Sequence, residues 1–426
     1  MSIKKTHPWK ISHQIKIFKH VLEKNLDVSK IKISERIERL DYPIRKYNAL
    51  ARSLEEKGEK VIYLNIGDPL KYDFQPPREL IEEACRALQE GHHYYSSSEG
   101  LKELREAIAY KEKTWNKVDI DPKNILVTNG VSEGINTLYA ALVNEGDEVL
   151  IPDPSYPLYI NFADFYDARK VFYRTIEEEG WIPDIDDMRK KITEKTRFIV
   201  VNNPHNPTGA VYPKKVLQDI LDLAAEYKLP VVSDEIYDAM VFNTEFHSVA
   251  SLAKSDNIVI GMNGFSKTYL ATGWRLGYIY LKGPEEEIAN IRTAFLGFLM
   301  TRLSAVTPLQ VAVARAVYKT GSHLKELVSK LDERRRYSAK RLREIPGFSL
   351  PVEPKGAFYV FPRVDLKMND EEFARQLLLD EKVFVVYGSG FGPLGTNHVR
   401  LVFLPPVDVL EEAFTRIERF MRKISS

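Results

Sequence analysis

A lysine and an arginine stand eight positions apart in the segment from residue 263 to residue 278, which reads Asn-Gly-Phe-Ser-Lys-Thr-Tyr-Leu-Ala-Thr-Gly-Trp-Arg-Leu-Gly-Tyr. The lysine, Lys267, follows an apolar run at residues 257–262 that predicts a buried strand. An ammonium group buried next to other cations loses its proton readily and becomes a nucleophile toward a carbonyl, as in a Schiff base. The arginine, Arg275, lies between two glycines whose small size lets its guanidinium bind an anion in a fork. The pair predicts a site for a phosphate ester that carries a carbonyl group.

A glycine-bearing turn at residues 129–134 is a second candidate for anion binding. The run before it, Ile125–Thr128, predicts a strand, and the residues after it predict a helix. A turn that opens a helix presents free backbone N–H groups and the positive end of the helix dipole, so it can bind a phosphate. The predicted binding residues are Gly130, Val131 and Ser132. Taken alone, the turn leaves open the alternative that Ser132 only caps its own helix.

Two more predicted strands end in turns that contain several prolines. The strand Glu148–Ile151 is followed by Pro-Asp-Pro-Ser-Tyr-Pro. These prolines direct Tyr156 outward at the carboxyl end of the strand, where open α/β sheets bind ligands. The strand Arg197–Val201 is followed by Asn-Asn-Pro-His-Asn-Pro, and its two Asn-Pro turns hold the side-chain amide of Asn206 rigidly. Both side chains are therefore candidates for ligand contact.

A carboxylate terminates the predicted strand Leu229–Ser233, in the sequence Asp-Glu-Ile-Tyr. A carboxylate at the end of an apolar strand is costly unless it meets a cation, so Asp234 is predicted to meet a positively charged group of a ligand. Tyr237 can reach the same ligand from the same turn, and Glu235 is predicted to be structural. A nucleotide site with an acidic pair is excluded, because no Gly-x-x-x-x-Gly-Lys loop precedes these residues.

The alternation of strands and helices through the middle of the chain predicts an α/β fold, with a mostly parallel sheet covered by helices on both faces. A chain of 426 residues exceeds what one hydrophobic core usually supports, so two domains are expected.

These motifs, in this order, resemble those of the class I/II aminotransferases, the fold-type I enzymes that use pyridoxal 5'-phosphate (PLP). The resemblance implies that Lys267 binds PLP covalently and that Arg275 grips its phosphate, together with Gly130, Val131, Ser132 and Ser266. It also implies that Tyr156 stacks on the ring, Asn206 and Tyr237 bond a ring oxygen, and Asp234 pairs with the ring nitrogen. The chain departs at Gly264, where many relatives have a serine. One hydrogen bond to the phosphate is therefore either missing or supplied by Ser266.

Other parts of the chain resemble the same family outside the PLP site. Gly67, in Asn-Ile-Gly-Asp-Pro, is placed by the resemblance in the loop beside the bound amino acid. Arg400 lies in His-Val-Arg-Leu-Val-Phe, which alternates as a strand, and would fork the substrate's α-carboxylate. Tyr95 matches a tyrosine that crosses a dimer interface to the partner's PLP phosphate, which implies a homodimer with shared active sites. The resemblance further implies a large PLP domain at residues 76–319 and a smaller α+β domain at residues 33–75 and 320–426.

The motifs are most similar to those of alanine (glutamate–pyruvate) aminotransferases. In those enzymes a tyrosine and an arginine from an N-terminal helix lie near the substrate side chain, and Tyr42 and Arg45 match them. Arg45 would then receive the distal carboxylate of glutamate from across the dimer. The predicted reaction moves an amino group between alanine or glutamate and a 2-oxo acid. Aspartate or aromatic transamination, a PLP-dependent C–S lyase, and a PLP-sensing regulator remain alternatives, although about 32 residues before the family's match are too few for a DNA-binding module.

Composition excludes several other classes of function. The formal net charge is +1, which gives no reason to expect nucleic acid or an anionic membrane as a partner. The single cysteine, Cys85, and the absence of any Cys/His cluster in the sequence argue against disulfides and zinc and favour a reducing, cytoplasmic setting. Residues 1–32 are predicted to be a lysine-rich extension without the apolar core of a secretory signal. Gly-Ser-Gly-Phe-Gly at residues 388–392 imitates a dinucleotide motif, but a proline follows and no helix is predicted, so NAD is excluded.

Overall fold

A computed structural model describes residues 33–365 and 367–425 of the chain. The extension predicted for residues 1–32 lies outside the described residues. Of these residues, those up to Leu40 belong to one unit and those from Asp41 onward belong to a second, compact unit. The first unit contains one short helix among its described residues, α1 (Glu35–Glu38).

The second unit contains the strands and the remaining helices. Its strands are β1 (Ile62–Tyr63), β2 (Ile125–Thr128), β3 (Glu148–Asp153), β4 (Arg169–Ile176), β5 (Ile182–Pro183), β6 (Thr196–Asn202), β7 (Val231–Asp234), β8 (Val259–Gly264), β9 (Gly277–Lys282), β10 (Phe348–Ser349), β11 (Tyr359–Val360), β12 (Arg363–Val364), β13 (Val383–Phe384), β14 (Val386–Tyr387) and β15 (Val399–Val402). Its helices are α2 (Asn48–Glu55), α3 (Arg78–Gln89), α4 (Lys102–Trp115), α5 (Val131–Leu142), α6 (Pro157–Phe165), α7 (Ile185–Lys191), α8 (Lys214–Glu226), α9 (Val249–Leu252), α10 (Glu285–Leu299), α11 (Thr307–Ala316), α12 (His323–Glu344), α13 (Asp370–Glu381) and α14 (Val407–Ser425).

The central sheet has eight strands in the order β2-β9-β8-β7-β6-β3-β4-β5. Its inner strands β4, β3, β6, β7 and β8 pair in parallel, whereas β9 runs antiparallel between β8 and β2. Every residue of β2, β3 and β7 is buried, as expected for parallel strands whose two faces are both covered.

Side chains that alternate along each strand enter two different hydrophobic cores. In β2, Ile125 and Val127 belong to one core with α3 and α4, while Leu126 belongs to the opposite core with α5 and α10. Because successive side chains of a strand point to opposite faces, this division shows helices on both faces of the sheet. The predicted α/β class, with a mostly parallel sheet between helices, is confirmed.

A further core forms around short strands near the end of the chain. The strands β11, β15 and β14 make a small antiparallel sheet, and apolar residues from α12, α13 and α14 pack with it. The strand β1, from early in the chain, pairs in parallel with β13. This is the smaller α+β part expected from the resemblance, while the exact limits at residues 76 and 319 stay a prediction.

The structure differs from the sequence prediction in a few elements. The strands β4, β5 and β12 were not predicted. Residues Gly388–Phe391 form a short 3-10 turn where no helix was expected. Within the described residues, no helix combines the length and apolar character needed to cross a bilayer. The same residues contain no group of three or more His, Cys, Asp or Glu placed to hold a metal ion.

Candidate active site

A cavity of about 510 Å³ lies where the strands β6, β7 and β8 end in turns. Carboxyl ends of neighbouring parallel strands meet at one edge of a sheet, which is why residues far apart in the sequence converge there. The predicted site residues that line the cavity are Tyr42, Arg45, Gly67, Val131, Ser132, Tyr156, Asn206, Asp234, Tyr237, Ser266, Lys267, Arg275 and Arg400.

Lys267 lies in the turn after β8 and is half-buried. Its amine donates a hydrogen bond to the backbone oxygen of Gly67 at 2.6 Å. Burial lowers the pKa of Lys267 to about 8, with help from the positive charges of Arg275 and Arg400 and against the opposing charge of Asp68. A sizeable fraction of this amine is therefore uncharged near neutral pH, which is the state that attacks a carbonyl.

Asp234 is the last residue of β7 and is almost fully buried. Its carboxylate accepts two long hydrogen bonds, from the hydroxyl of Tyr159 at 3.3 Å and from the backbone N–H of Ile236 at 3.4 Å. Burial raises the pKa of Asp234 to about 7, and these two hydrogen bonds oppose the rise only in part. A cation placed against this carboxylate would lower its pKa and stabilise the ionised form.

The turn before α5 forms the end of the cavity suited to an anion. Gly130 has a φ of +76° and directly precedes the first residue of α5, so the free N–H groups of that helix begin there. A Cβ at Gly130 would lie 2.4 Å from Nη2 at the flexible end of Arg275, and the positive φ of this residue strains any other side chain, so both features favour glycine here. Nη1 of Arg275 donates to the backbone oxygen of Thr272 at 3.0 Å, and the side chain remains exposed. Ser132 and Ser266 add hydroxyl groups to the same lining.

Arg400, at the opposite end, is a guanidinium that is 1% exposed. It donates to the side-chain oxygen of Asn206 at 3.0 Å and to the backbone oxygen of Asn65 at 2.5 Å. Its planar group lies 4.6 Å from the ring centre of Tyr359 and 5.0 Å from that of Phe391. Within residues 33–365 and 367–425, its Nε has no hydrogen-bond partner. A buried guanidinium with unused donors is suited to a carboxylate ligand.

Several residues that line the cavity were not predicted from the sequence, and Asp68, Thr272 and Tyr359 are among them. The hydroxyl of Tyr359, in β11, lies 2.7 Å from the hydroxyl of Tyr237, and a Cβ at Gly67 would lie 2.4 Å from it. The hydroxyl of Thr272 donates to Asp68 at 2.9 Å, and both line the cavity. Asp68 directly follows Gly67, and Thr272 stands three residues before Arg275, so both lie in motifs described above. Their closeness in the sequence to Gly67 and Arg275 could have indicated that they line the site. No feature of the sequence indicated Tyr359, because only tertiary pairing brings β11 to Tyr237.

The predicted substrate-side residues are placed as follows. The hydroxyl of Tyr42 lies 3.2 Å from that of Tyr156, which ties the N-terminal segment to the turn after β3. Arg45 lines the cavity of its own chain, whereas the sequence analysis expected it from across a dimer. Tyr95 is 79% exposed and is not among the described residues that line this cavity.

The cavity fits the cofactor that the resemblance implies. PLP carries an aldehyde, a pyridine nitrogen and a phosphate, and the cavity offers the amine of Lys267, the buried carboxylate of Asp234 and the glycine turn at Gly130. The long hydrogen bonds of Asp234 leave room for a stronger cationic partner. Each functional group of PLP thus has a chemically matched group among the residues present.

Comparison with known proteins agrees with this reading of the cavity. The family model described as aminotransferase class I and II matches residues 59–417. The glutamate–pyruvate aminotransferase AlaA of Escherichia coli (strain K12) is 37% identical over 402 residues, covering 92% of this chain and 98% of AlaA. The aromatic-amino-acid aminotransferase 2 of Thermococcus litoralis is 37% identical over 399 residues, covering 92% of this chain and 98% of that protein. A solved structure of an alanine aminotransferase from Pyrococcus furiosus is 50% identical, has a TM-score of 0.89 and covers 92% of this chain and all of that one. The chain belongs to the class I and II aminotransferase family.

Proposed function

We propose that this protein is a PLP-dependent alanine transaminase, which exchanges an amino group between alanine and 2-oxoglutarate to give pyruvate and glutamate. The observation that carries the proposal is the single cavity that brings Lys267, Asp234 and Arg400 together. The similarity to AlaA and to the Pyrococcus furiosus alanine aminotransferase supports this choice of substrates.

The residues that would hold PLP divide among its functional groups. Lys267 would attach the cofactor covalently, and Asp234 would pair with its ring nitrogen. Arg275, Ser132, Ser266 and the N–H groups after Gly130 would hold the phosphate. Asn206 and Tyr237 would bond the ring oxygen, and Tyr156 would cover one face of the ring. When bound, PLP supplies an aldehyde that takes up the amino group and a ring that acts as an electron sink.

The protein side chains then orient the substrate and move one proton. Arg400 binds the α-carboxylate in a fork, since Asn206 and Asn65 already hold the guanidinium in place. This contact fixes the direction of the bond between the α-carbon and its hydrogen. Lys267 would take that proton from the α-carbon as general base and deliver it, as general acid, to the cofactor carbon that carries the aldehyde, because its pKa of about 8 makes both forms accessible at neutral pH.

Selectivity for alanine and glutamate is proposed to depend on Tyr42 and Arg45. Both line the cavity, and the hydroxyl contact of Tyr42 with Tyr156 places its ring beside the predicted cofactor position. The guanidinium of Arg45 is free to meet the distal carboxylate of glutamate, which alanine lacks. Replacing Arg45 by alanine should therefore raise KM for glutamate and leave KM for alanine within about twofold. An equal effect on both substrates would contradict this role.

The decisive experiment compares wild type with Lys267→Ala. With PLP added, the wild-type absorption spectrum should show a protein-bound band that shifts on adding alanine and recovers with 2-oxoglutarate. Lys267→Ala should bind PLP without a covalent bond and should not turn over. A panel of alanine, glutamate, aspartate, aromatic amino acids and cysteine, read as 2-oxo acid formed, tests the substrate choice. Inactivity with both alanine and glutamate would refute it, and faster turnover of aspartate or aromatic substrates would favour those alternatives.

We also propose a homodimer with shared active sites. Five large apolar side chains are more than 40% exposed in two neighbouring segments: Tyr94, Tyr95, Met300, Leu303 and Val306. The segments are held together because the hydroxyl of Ser98 donates to the backbone oxygen of Leu303 and that of Thr307 to the backbone oxygen of Tyr94. Contiguous apolar surface of this kind marks protein interfaces. Sedimentation should show a dimer, and Tyr95→Phe should weaken PLP retention in it; a wild-type monomer that is fully active would refute the proposal.

A reducing, cytoplasmic setting is proposed from the sequence alone. The chain has one cysteine, Cys85, and it is exposed and free. A protein made in an oxidising compartment would more commonly carry paired cysteines. Fractionation of cells that express the tagged chain tests this placement.

A further inference from the structure

A buried ionic cluster, formed by Lys111, Glu112, Asn116 and Asp238, lies under the turn that carries Lys267. All four residues are at most 7% exposed. The amine of Lys111 bonds Asp238 at 2.5 Å and Glu112 at 3.0 Å, and the amide of Asn116 bonds Asp238 at 2.9 Å and Glu112 at 2.8 Å. Buried charges of this kind persist only when each is paired and hydrogen-bonded. The cluster satisfies that condition with its own members.

Lys111 and Asp238 remain ionised at neutral pH. Burial works against the charge of Lys111, but Asp238 and Glu112 hold the pKa of Lys111 well above its ordinary value. Burial also works against ionisation of Asp238, yet Lys111 and the neighbouring hydrogen-bond donors hold the pKa of Asp238 below its ordinary value. The carboxylate of Asp238 is therefore a permanent acceptor in the interior.

Asp238 connects the two turns on which the proposed chemistry depends. Its Oδ2 accepts from the side-chain amide of Asn263 in β8 at 2.8 Å, and its Oδ1 accepts from the hydroxyl of Thr268 at 2.9 Å. Thr268 directly follows Lys267, and Asp238 directly follows Tyr237. One carboxylate thus ties the end of β7 and the turn after it, where Asp234 and Tyr237 lie, to the turn after β8, which carries Lys267.

The helix α4 anchors this connection from behind. Lys111 and Glu112 belong to α4, and the amine of Lys111 lies 5.6 Å from the ring centre of Trp115 in the same helix. That ring stacks on Tyr269, two residues after Lys267, with ring centres 5.5 Å apart and planes 4° from parallel. The turn of Lys267 is therefore held both by the hydrogen bond of Thr268 and by the stacked ring of Tyr269.

We propose that Asp238 is a positioning residue for Lys267, which acts through the hydroxyl of Thr268 and sets where the amine of Lys267 lies relative to Asp234 and Tyr237. Of the residues that the structure describes, the cavity lining includes Lys267, Asp234 and Tyr237 but neither Asp238 nor Thr268. Asp238 therefore acts on the reaction only through the residues it holds. The inference rests on the proposed function, in which Lys267 is the reacting amine.

The test breaks one hydrogen bond without changing the shape of the side chain. Thr268→Val removes the hydroxyl that bonds Asp238, and Thr268→Ser keeps it. Thr137→Val is the matched control, because Thr137 is equally buried and, among the residues described, its hydroxyl donates only to the backbone oxygen of Glu133 in its own helix. If Thr268→Val yields no folded protein, Thr268→Ala, which also lacks the hydroxyl, is measured in its place.

The first readout is the reactivity of Lys267 in the apoprotein. It is measured by labelling amines at several pH values and quantifying the label by mass spectrometry on the peptide that contains residue 267. The charged groups that face this amine are Asp68, Arg275 and Arg400, with Asp234 in the same cavity. Wild type should show half-maximal labelling near pH 8. In Thr268→Val the amine should leave its buried position, and the midpoint should rise by about one pH unit toward the ordinary value for lysine. Thr268→Ser and Thr137→Val should keep the wild-type midpoint.

The second readout is steady-state kinetics with alanine and 2-oxoglutarate. Displacing the reacting amine should lower kcat by about tenfold to a hundredfold in Thr268→Val, while KM for alanine stays within about twofold because Arg400 is untouched. A wild-type labelling midpoint together with a wild-type kcat in Thr268→Val would overturn the proposal and leave Asp238 a structural role only. Failure of the proposed function would be recognised separately. In that case the wild-type protein would not bind PLP covalently through Lys267, whatever labelling midpoints the variants show.

Discussion

Replacing Asp234 by asparagine should stabilise the apoprotein at high pH while abolishing most of its activity. Burial raises the pKa of Asp234 from an ordinary value of 3.8 to about 7. In the unfolded chain the carboxyl group ionises near the ordinary value, so between these two values the folded protein binds a proton that the unfolded chain has lost. The free energy of unfolding therefore falls as the pH rises through this window, and it stays at the lower value above it. Asparagine has no charge to bury and escapes this loss.

The size of the effect follows from the same pKa values. At about 1.36 kcal/mol per pH unit, the window from 3.8 to about 7 corresponds to about 4 kcal/mol. The amide group of asparagine needs its own partners, which reduces the gain by about 1 kcal/mol. We expect Asp234→Asn apoprotein to be about 2–4 kcal/mol more stable than wild type above pH 8 and no more stable below pH 4. Loss of the carboxylate should lower kcat by about a hundredfold or more, since a preorganised charge of this kind contributes about 3 kcal/mol.

The assay is urea unfolding of both apoproteins at several pH values, with kcat measured separately on the PLP-loaded proteins. Asp256→Asn, at an exposed carboxylate, is the control and should show no such dependence on pH. A free-energy difference between Asp234→Asn and wild type that does not change with pH would show that the carboxylate is not penalised by burial. A wild type that is more stable than Asp234→Asn above pH 8 would lead to the same conclusion about the carboxylate. Either result would refute the argument for Asp234.

Three further substitutions test other parts of the site. Arg400→Lys should raise KM for alanine by about a hundredfold with a smaller change in kcat, because an ammonium cannot reproduce the fork; an unchanged KM would show that the carboxylate binds elsewhere. Gly130→Ala should weaken PLP binding by about tenfold in a fluorescence titration. The new Cβ would lie 2.4 Å from Nη2 of Arg275, and the residue has a φ of +76° that strains alanine. Wild-type affinity would argue against a phosphate at this turn. Lys111→Met should lower the free energy of unfolding at pH 7 by about 3–5 kcal/mol, because it leaves Asp238 and Glu112 buried without their cation. A loss below about 1 kcal/mol in urea unfolding would contradict this role of Lys111.

The strands that lead into the site were predictable because their residues are buried on both faces. The strand β2 has the predicted bounds, Ile125–Thr128, and β7 and β8 begin two residues later than expected. Short apolar runs that end at glycine, proline or a carboxylate give this pattern in a parallel sheet. The turn residues that follow such strands, among them Asp234 and Lys267, could therefore be named from the sequence.

Elements that depend on tertiary pairing could not be found in this way. The strand β4 (Arg169–Ile176) carries arginine, lysine and threonine among its apolar residues, and only part of it is buried, so it lacks a continuous apolar run. The strands β5 and β12, which were not predicted either, have two residues each, too few for any period to be measured. The subunit that supplies Arg45 was equally hidden, because a sequence match assigns a residue to a site without stating which subunit supplies it; Arg45 lines the cavity of its own chain, and its action across a dimer stays a prediction.

The contacts at the cavity join the central sheet to the smaller core of the chain. Asn206 follows β6 of the central sheet and accepts from Arg400 in β15, and Tyr237 meets Tyr359 of β11 through their hydroxyl groups. These hydrogen bonds are buried, so separating the two cores would leave unsatisfied polar groups at the site itself. A substrate carboxylate bound by the remaining donors of Arg400 would strengthen the same junction, because it adds charge to a guanidinium that already bridges both sides. If Arg400 binds the substrate as we propose, substrate binding and the closeness of the two cores would be thermodynamically linked, and each would stabilise the other.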